Sequence, residues 1–161
     1  MPLFDASSII HAWDNYPPEL FPPLWDWLGK EIVNGNLAIP GVALDEVGKK
    51  TPECAEWLKG NGITVLPLTS EVLAESLRIK HLLGIEEDQY HTKGVGENDI
   101  FIIATASVHG LTLISDEGRQ FGKPDILAKY KIPAVCELQD VGVTCIKFLQ
   151  LIRTSGAVFK S

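Results

Sequence analysis

No stretch of this chain stays apolar over the ~20 residues that a bilayer span requires. No cationic segment followed by an apolar one opens it, so the sequence predicts neither a membrane protein nor a secretory leader. Cysteine is scarce. Cys54, Cys136 and Cys145 are odd in number, widely spaced and without a CxxC pair, which points to a reduced, cytoplasmic protein whose thiols serve as small buried apolar groups. His11, His81, His91 and His109 show no HExxH or cysteine-paired zinc spacing, and His11 and His109 read as packing or helix-end residues. There is no GxSxG elbow for a serine hydrolase. "KGVG" follows no strand and lacks the third glycine of a dinucleotide fingerprint, and "DASS" lacks the second aspartate of a phosphoaspartate hydrolase. Positive charge is also short. Fourteen Lys and Arg stand against 21 Asp and Glu, a formal net charge of −7. Such a balance argues against a general nucleic-acid binder that neutralises phosphates with its own side chains. It leaves open an enzyme that meets phosphate through a bound cation.

What the chain does have is an ordinary globular composition, 45% hydrophobic and 22% charged. Its 161 residues suit one domain, 1–161, with a sizeable core. Short β-like runs alternate with helical patterns, the signature of a parallel α/β sheet. Strands are predicted at Leu3–Asp5, Leu37–Pro40, Thr64–Pro67, Thr112–Ser115 and Ala134–Cys136. Ser7 or Ser8 caps a first helix. A second, over 19–34, carries Phe21, Leu24, Trp25, Leu28 and Ile32 on one face. Trp27 falls about 120° off that stripe, which makes it a candidate contact for a second copy or another protein. "GVALDEVGKK" and "PECAEWLKG" read as short helices, "TSEVLAESLRIKHLLG" as a longer one, and "EEDQYHTKGVG" as a mobile polar loop. "ENDIFIIATASVHG" reads as a buried helix closed by Gly110, and "VGVTCIKFLQLIRTSG" as the last helix and a polar tail.

Ligands of open α/β sheets bind beyond the carboxyl ends of the strands, at the switch point of the strand order. Asp5 closes "PLFD" and Asp116 closes "TLISD" at that edge. Asp99 lies in the first turn of the helix before the Asp116 strand, and Glu46 in the short helix after the second strand. Each has a structural explanation of its own: a helix dipole for Asp99, a turn for Asp116, a charged helix for Glu46, a cap for Asp5. Together they place four carboxylates at one edge. Two like charges ~4 Å apart repel by about 4 kcal/mol at an effective dielectric near 20. Such a cluster therefore needs protons or cations, and hard oxygen donors favour Mg²⁺ or Mn²⁺ over zinc.

These segments resemble PIN domains. "FDASSII" is similar to their opening D-x-S/T-x-hydrophobic motif, and "ALDEV" supplies the glutamate after the second strand. "ENDIFIIATASVHGLTLISDE" resembles their D-x-x-I/L-x-A-x-A helix, closing glycine and strand ending in aspartate. More narrowly, the chain resembles the single-domain PIN ribonucleases that include VapC-type toxins. The resemblance implies an α/β, PIN-like (Rossmann-like) three-layer fold with a central parallel sheet of about four to five strands. It also implies a Mg²⁺- or Mn²⁺-dependent endoribonuclease, acting on RNA as the toxin of a toxin–antitoxin module. The partners would then be an RNA substrate and an antitoxin protein, with a homodimer also compatible and no membrane involved. Asp5, Glu46, Asp99 and Asp116 match the acidic, metal-holding positions, and Ser7 matches the small hydroxyl residue that steadies them. Asp45, Glu97 and Glu117 compete with assigned neighbours. Ile-Ser-Asp stands where the family more often has Thr-x-Asp.

Phosphodiester hydrolysis needs an in-line nucleophile and charge neutralisation at phosphate, and a divalent ion among carboxylates supplies both. Asp99 or Glu46 would orient the water. Lys49, Lys50, Lys93 and Arg119 lie near the proposed mouth and would steer RNA, although solvated surface charge explains each equally well. The alternative function class is a catalytically silent PIN-like binding or scaffold protein.

Overall fold

The computed structural model describes residues 1–160. Five short strands form one parallel sheet: β1 (Leu3–Phe4), β2 (Ala38–Pro40), β3 (Thr64–Leu66), β4 (Leu113–Ile114) and β5 (Cys145–Ile146). Their order is β3-β2-β1-β4-β5. The chain builds outward from β1 in one direction, then returns to its other side with β4. The switch point therefore lies between β1 and β4, where Leu3 pairs with Leu113 and Phe4 with Ile114. Leu3, Phe4, Ala38, Ile39, Leu113 and Ile114 are all buried, as strands covered on both faces require.

Eight helices and a 3₁₀ turn surround the sheet in the described residues. They are α1 (Ala6–Asn15), α2 (Pro22–Val33), α3 (Gly41–Lys50), α4 (Pro52–Gly60), α5 (Ser70–Leu82), α6 (Glu97–His109), α7 (Ile132–Glu137) and α8 (Phe148–Ser155), with the 3₁₀ turn at Leu127–Lys129. α2 and α4 begin at prolines, whose missing N–H costs nothing in a first turn. Thr69 caps α5 by accepting from Val72 N–H. Gly110 ends α6 in the left-handed conformation, φ 63°. Trp13, Trp25 and Trp57, from α1, α2 and α4, pack edge to face with centroids 5.0–6.3 Å apart. The Trp25 indole also donates to the Tyr16 carbonyl at 2.6 Å.

The first four predicted strands stand where expected, trimmed by a residue or two. The fifth does not. Residues 134–136 lie in α7, where Ile132 to Cys136 are buried on every side and Pro133 sits in the first turn. A short, wholly apolar run fits a buried strand and a buried helical turn equally, and the proline tips it to helix. β5 falls instead at Cys145–Ile146, within the segment read as the last helix, and α8 is correspondingly short. The C-terminal end of the 86–96 segment is docked rather than loose. Val95 is buried and its N–H donates to the Tyr130 carbonyl at 2.9 Å. Gly94 packs so closely that a Cβ built there would lie 1.9 Å from the Ala128 carbonyl oxygen.

The face expected to bear a free Trp27 is also different. Trp27 is half-buried and meets Phe159 of the C-terminal tail with ring centroids 5.7 Å apart. Exposed apolar groups lie just before the helix, at Leu20 and at Phe21, which precedes it instead of joining its buried stripe. With Pro23, Leu149, Ile152 and Phe159 they line an open groove of about 680 Å³ between α2 and α8.

Candidate active site

β1 ends at Phe4, and Asp5 turns the chain into α1 from the carboxyl edge of the sheet. Its N–H donates to the Ile114 carbonyl at 2.9 Å, the last ladder bond between β1 and β4. The side chain is only 2% exposed. Oδ2 accepts from Ser7 Oγ at 2.5 Å and from Ser115 Oγ at 2.9 Å. Oδ1 takes no hydrogen bond from the described residues. None of their buried side-chain oxygens lacks a partner, so Oδ1 is the atom that reaches solvent. Ser115, one residue before Asp116, supplies the second hydroxyl where the family's threonine would stand two residues before the aspartate.

Asp99 approaches from the first turn of α6. Its Oδ2 accepts from the Gly96 N–H at 3.0 Å and so satisfies a donor at the start of the helix, while its other oxygen takes no hydrogen bond among the described residues. Glu117 follows β4. Its Oε2 accepts from the Ile132 N–H at 3.0 Å, and Oε1 lies 3.8 Å from Lys131 Nζ. Asp5, Asp99 and Glu117 thus share one arrangement: one oxygen is held by an internal donor and the other is not.

The three feel one another. Burial pushes the Asp5 carboxyl up to about 6; its two serine hydroxyls oppose this, while Asp99 and Glu117 add repulsion. Burial also raises Asp99, against the Gly96 N–H and the charges of Lys131 and Lys50. It raises Glu117 as well, with Asp99 adding repulsion and Ile132 N–H, Lys131 and Arg119 opposing it.

The other assigned carboxylates sit differently. Both oxygens of Asp116 are engaged, Oδ2 with His11 Nδ1 at 2.7 Å and Oδ1 with the Phe148 N–H at 2.8 Å. Asp116 therefore joins α1 to the start of α8, and Glu117 stands beside Asp5 and Asp99. Glu46 lies half-buried on α3 with Lys50 Nζ 4.0 Å away, at the rim through the lysine that also acts on Asp99. Asp45 and Glu97 are exposed, and Glu97 lines a separate cavity with Leu73, Lys80 and Tyr90.

Of the cations named from sequence, Arg119 is turned inward. Its Nη1 donates to the carbonyls of Ser115 at 2.8 Å and Glu117 at 2.9 Å, so it braces the turn after β4. Lys49 and Lys93 are exposed. Lys131, the basic group shared by Asp99 and Glu117, was missed because it lies beyond the "SDEG" motif, in a stretch read as the approach to a strand. Gln120 fixes it by accepting from the Lys131 N–H at 2.9 Å.

No three His, Cys, Asp or Glu side chains among the described residues stand close enough to grip an ion as they are. The donors nevertheless fit a hard divalent cation in kind. They are carboxylates, mutually repelling, each with one oxygen free of hydrogen bonds among the described residues. Holding an ion would require them to draw together.

Residues 3–159 fit the family described as a domain of unknown function, DUF4411, and the chain belongs to that family. Comparison with curated proteins gives no match. Among solved structures, the chain is similar to that of DNA-bound VapBC from Salmonella typhimurium, with 16% identity, 91% of this chain and 96% of that one covered, and a TM-score of 0.55. PAE2754 from Pyrobaculum aerophilum gives 19% identity, 97% coverage of both chains and a TM-score of 0.53. VapBC2 from Rickettsia felis, bound to a promoter DNA fragment, gives 17%, 81% and 96% coverage, and 0.51. The fold is accordingly the PIN-like α/β fold of the VapC-type proteins.

Proposed function

We propose that this protein is a Mg²⁺- or Mn²⁺-dependent endoribonuclease and the toxin of a toxin–antitoxin module, restrained by an antitoxin protein. One observation carries the reading. At the switch point, Asp5, Asp99 and Glu117 each have one carboxylate oxygen braced by an internal hydrogen bond, and the other takes no hydrogen bond among the described residues, that of Glu117 facing Lys131 Nζ at 3.8 Å. Asp116, by contrast, has both oxygens engaged. Similar solved structures are VapBC complexes, which supports the partner class.

Asp5, Asp99 and Glu117 would hold the ion, with Glu46 at the rim. A divalent ion there would acidify a water and neutralise phosphate charge. The chain's own groups do the rest. Ser7 and Ser115 fix the Asp5 carboxylate so that only Oδ1 faces outward. A free oxygen of Asp99 or Glu46 orients the attacking water for an in-line approach. Lys131 and Lys50, cations beside these carboxylates, meet the phosphate chain at the mouth.

The test is cleavage of a mixed RNA panel by the purified protein in Mg²⁺ or Mn²⁺, with EDTA as the control and folding checked by circular dichroism. Asp5→Asn and Glu117→Gln should each lower cleavage by at least about 100-fold, the scale of losing one preorganised electrostatic group. Asp116→Asn and Asp45→Asn should retain much more. Equal cleavage by Asp5→Asn and the parent would refute the site. A parent that binds RNA without cutting it under either metal would favour the scaffold reading.

A further inference from the structure

Lys and Arg are scarce in this chain, yet Arg119, Lys123, Lys129 and Lys131 fall within one short segment, with Asp125 the one acid among them. The segment leaves the acidic edge and comes back to it. It departs at Arg119, whose Nη1 donates to the Ser115 and Glu117 carbonyls at 2.8 and 2.9 Å. It returns at Lys131, whose Nζ lies 3.8 Å from Glu117 Oε1. Gln120 ties the two limbs together. Its Oε1 accepts from the Lys131 N–H at 2.9 Å, and its Nε2 donates to the Lys129 carbonyl at 3.3 Å. Farther out, Lys123 Nζ meets Glu137 at 2.9 Å.

Phe121 comes directly after Gln120. It is 96% exposed, whereas Phe21, the next most exposed aromatic among the described residues, is 42% exposed. Single apolar side chains on a surface are ordinary. This one differs in its setting. Its backbone is held by Arg119 and Gln120 on one side and Lys123 on the other, so the ring is presented at a fixed place with both faces open. The cations around it are available. Lys123 pairs with Glu137 and Lys129 with Asp125, but the two acids are largely exposed. Surface pairs of this kind are weak, so each ammonium can exchange a carboxylate for a phosphate. Cations that track a phosphate backbone beside an aromatic face that stacks on a base are what single-stranded nucleic acid requires. A duplex has no use for the ring, because its bases are already stacked on one another and only unpaired bases can be splayed onto an aromatic side chain.

We propose that Phe121 is a stacking platform for an unpaired nucleobase, so that the RNA this protein takes is single-stranded where it passes the acidic edge. Lys131 and Lys123 hold the backbone on either side of the stacked base. That the neighbouring phosphate is the one cut rests on the nuclease reading; the stacking itself does not. Every base has a π face, so the platform selects strandedness and not sequence.

The test is fluorescence anisotropy of a short labelled RNA of mixed sequence, single-stranded or annealed to its complement, titrated in EDTA with the full-length protein. The parent should bind the single strand more tightly than the duplex. Phe121→Ala should weaken single-strand binding at least about fivefold, the lower end of what one stacked base contributes, and leave duplex binding unchanged. Phe121→Trp should retain the parent affinity, and Phe121→Leu, apolar but without a ring, should lose as much as Phe121→Ala. Lys123→Ala should instead reduce the slope of log affinity against log salt by about 0.7, the value for one phosphate on a single strand, whereas Phe121→Ala should leave that slope unchanged. Thermal melts of each variant check the fold, in which the exposed ring has no packing role. A parent that prefers the duplex, or a Phe121→Ala variant that binds the single strand as the parent does, would overturn the proposal. So would full affinity in Phe121→Leu, which would mark Phe121 as an apolar anchor and not a stacking group. Binding in EDTA needs no cleavage. A parent that binds in the expected way yet cuts nothing in Mg²⁺ or Mn²⁺ would therefore fault the nuclease reading and uphold the stacking site.

Discussion

At the residue scale, Asp5 pits stability against function. Its carboxyl, raised to about 6 in the fold from an ordinary 3.8, makes the folded state prefer the protonated form. Below pH 4 both states carry the proton and nothing is lost. As pH rises toward 6 the unfolded chain ionises first, so stability drains away, and above 6 the loss is complete at about 3 kcal/mol. Asp5→Asn removes that loss. Melted in EDTA, the variant should be more stable than the parent at pH 7, and the difference should shrink as pH falls to 4. Its amide nitrogen lacks the acceptor that a carboxylate never needed, so a measured gain of about 1–2 kcal/mol is expected. A difference independent of pH would show that Asp5 is not held against its ionisation. Asp5 and Asp99 were legible because a strand end and a helix start fix where they point. The choice between Asp116 and Glu117 was not. They are neighbours after a strand of two residues, and a turn of the backbone, braced by Arg119, decides which carboxylate faces Asp5.

At the scale of elements, the most exacting contact is the docking of residues 94–95 on the turn before α7. Gly94→Ala would set a methyl 1.9 Å from the Ala128 carbonyl oxygen, and backbone cannot yield as a flexible side chain can. A loss of about 2–3 kcal/mol is expected, on the scale of overpacking a filled site. Urea unfolding should report it as a lower midpoint with an unchanged slope. A midpoint within error of the parent would mean that this segment is not closely docked. The polar composition of 86–94 concealed this contact, because the residues that dock it, Gly94 and Val95, are set by Ala128 and Tyr130, more than thirty positions away. The same distance blindness hid β5 and α7. The capped helix α5 was legible from local pattern, and so was the stripe of α2 from Leu24 to Ile32, though not its start, since Phe21 precedes the helix. Five consecutive buried apolar residues have no stripe, and only their neighbours determine their form.

At the scale of the whole molecule, a surplus of negative charge is gathered partly into one edge, and a cation should relieve it. At 100 times its dissociation constant, a ligand specific to the fold adds about 2.7 kcal/mol. For a chain of this length that raises the melting temperature by roughly 5–10 °C. Differential scanning fluorimetry at pH 7.5 should show the shift with Mg²⁺ or Mn²⁺ against EDTA, and Asp5→Asn should abolish it. No shift with either ion at millimolar concentration would remove the metal from the proposed site. The parallel α/β class was legible from alternating patterns alone. The strand order also has a bearing on biosynthesis. β1 bonds to β4, so Leu3 N–H waits for the Thr112 carbonyl, and Glu117 is held only after Ile132 has been made. A growing chain therefore carries Asp5 long before Glu117, yet cannot assemble the acidic edge until Ile132 has been made. A protein that cuts RNA in this way would stay harmless to the message and ribosome producing it up to that point.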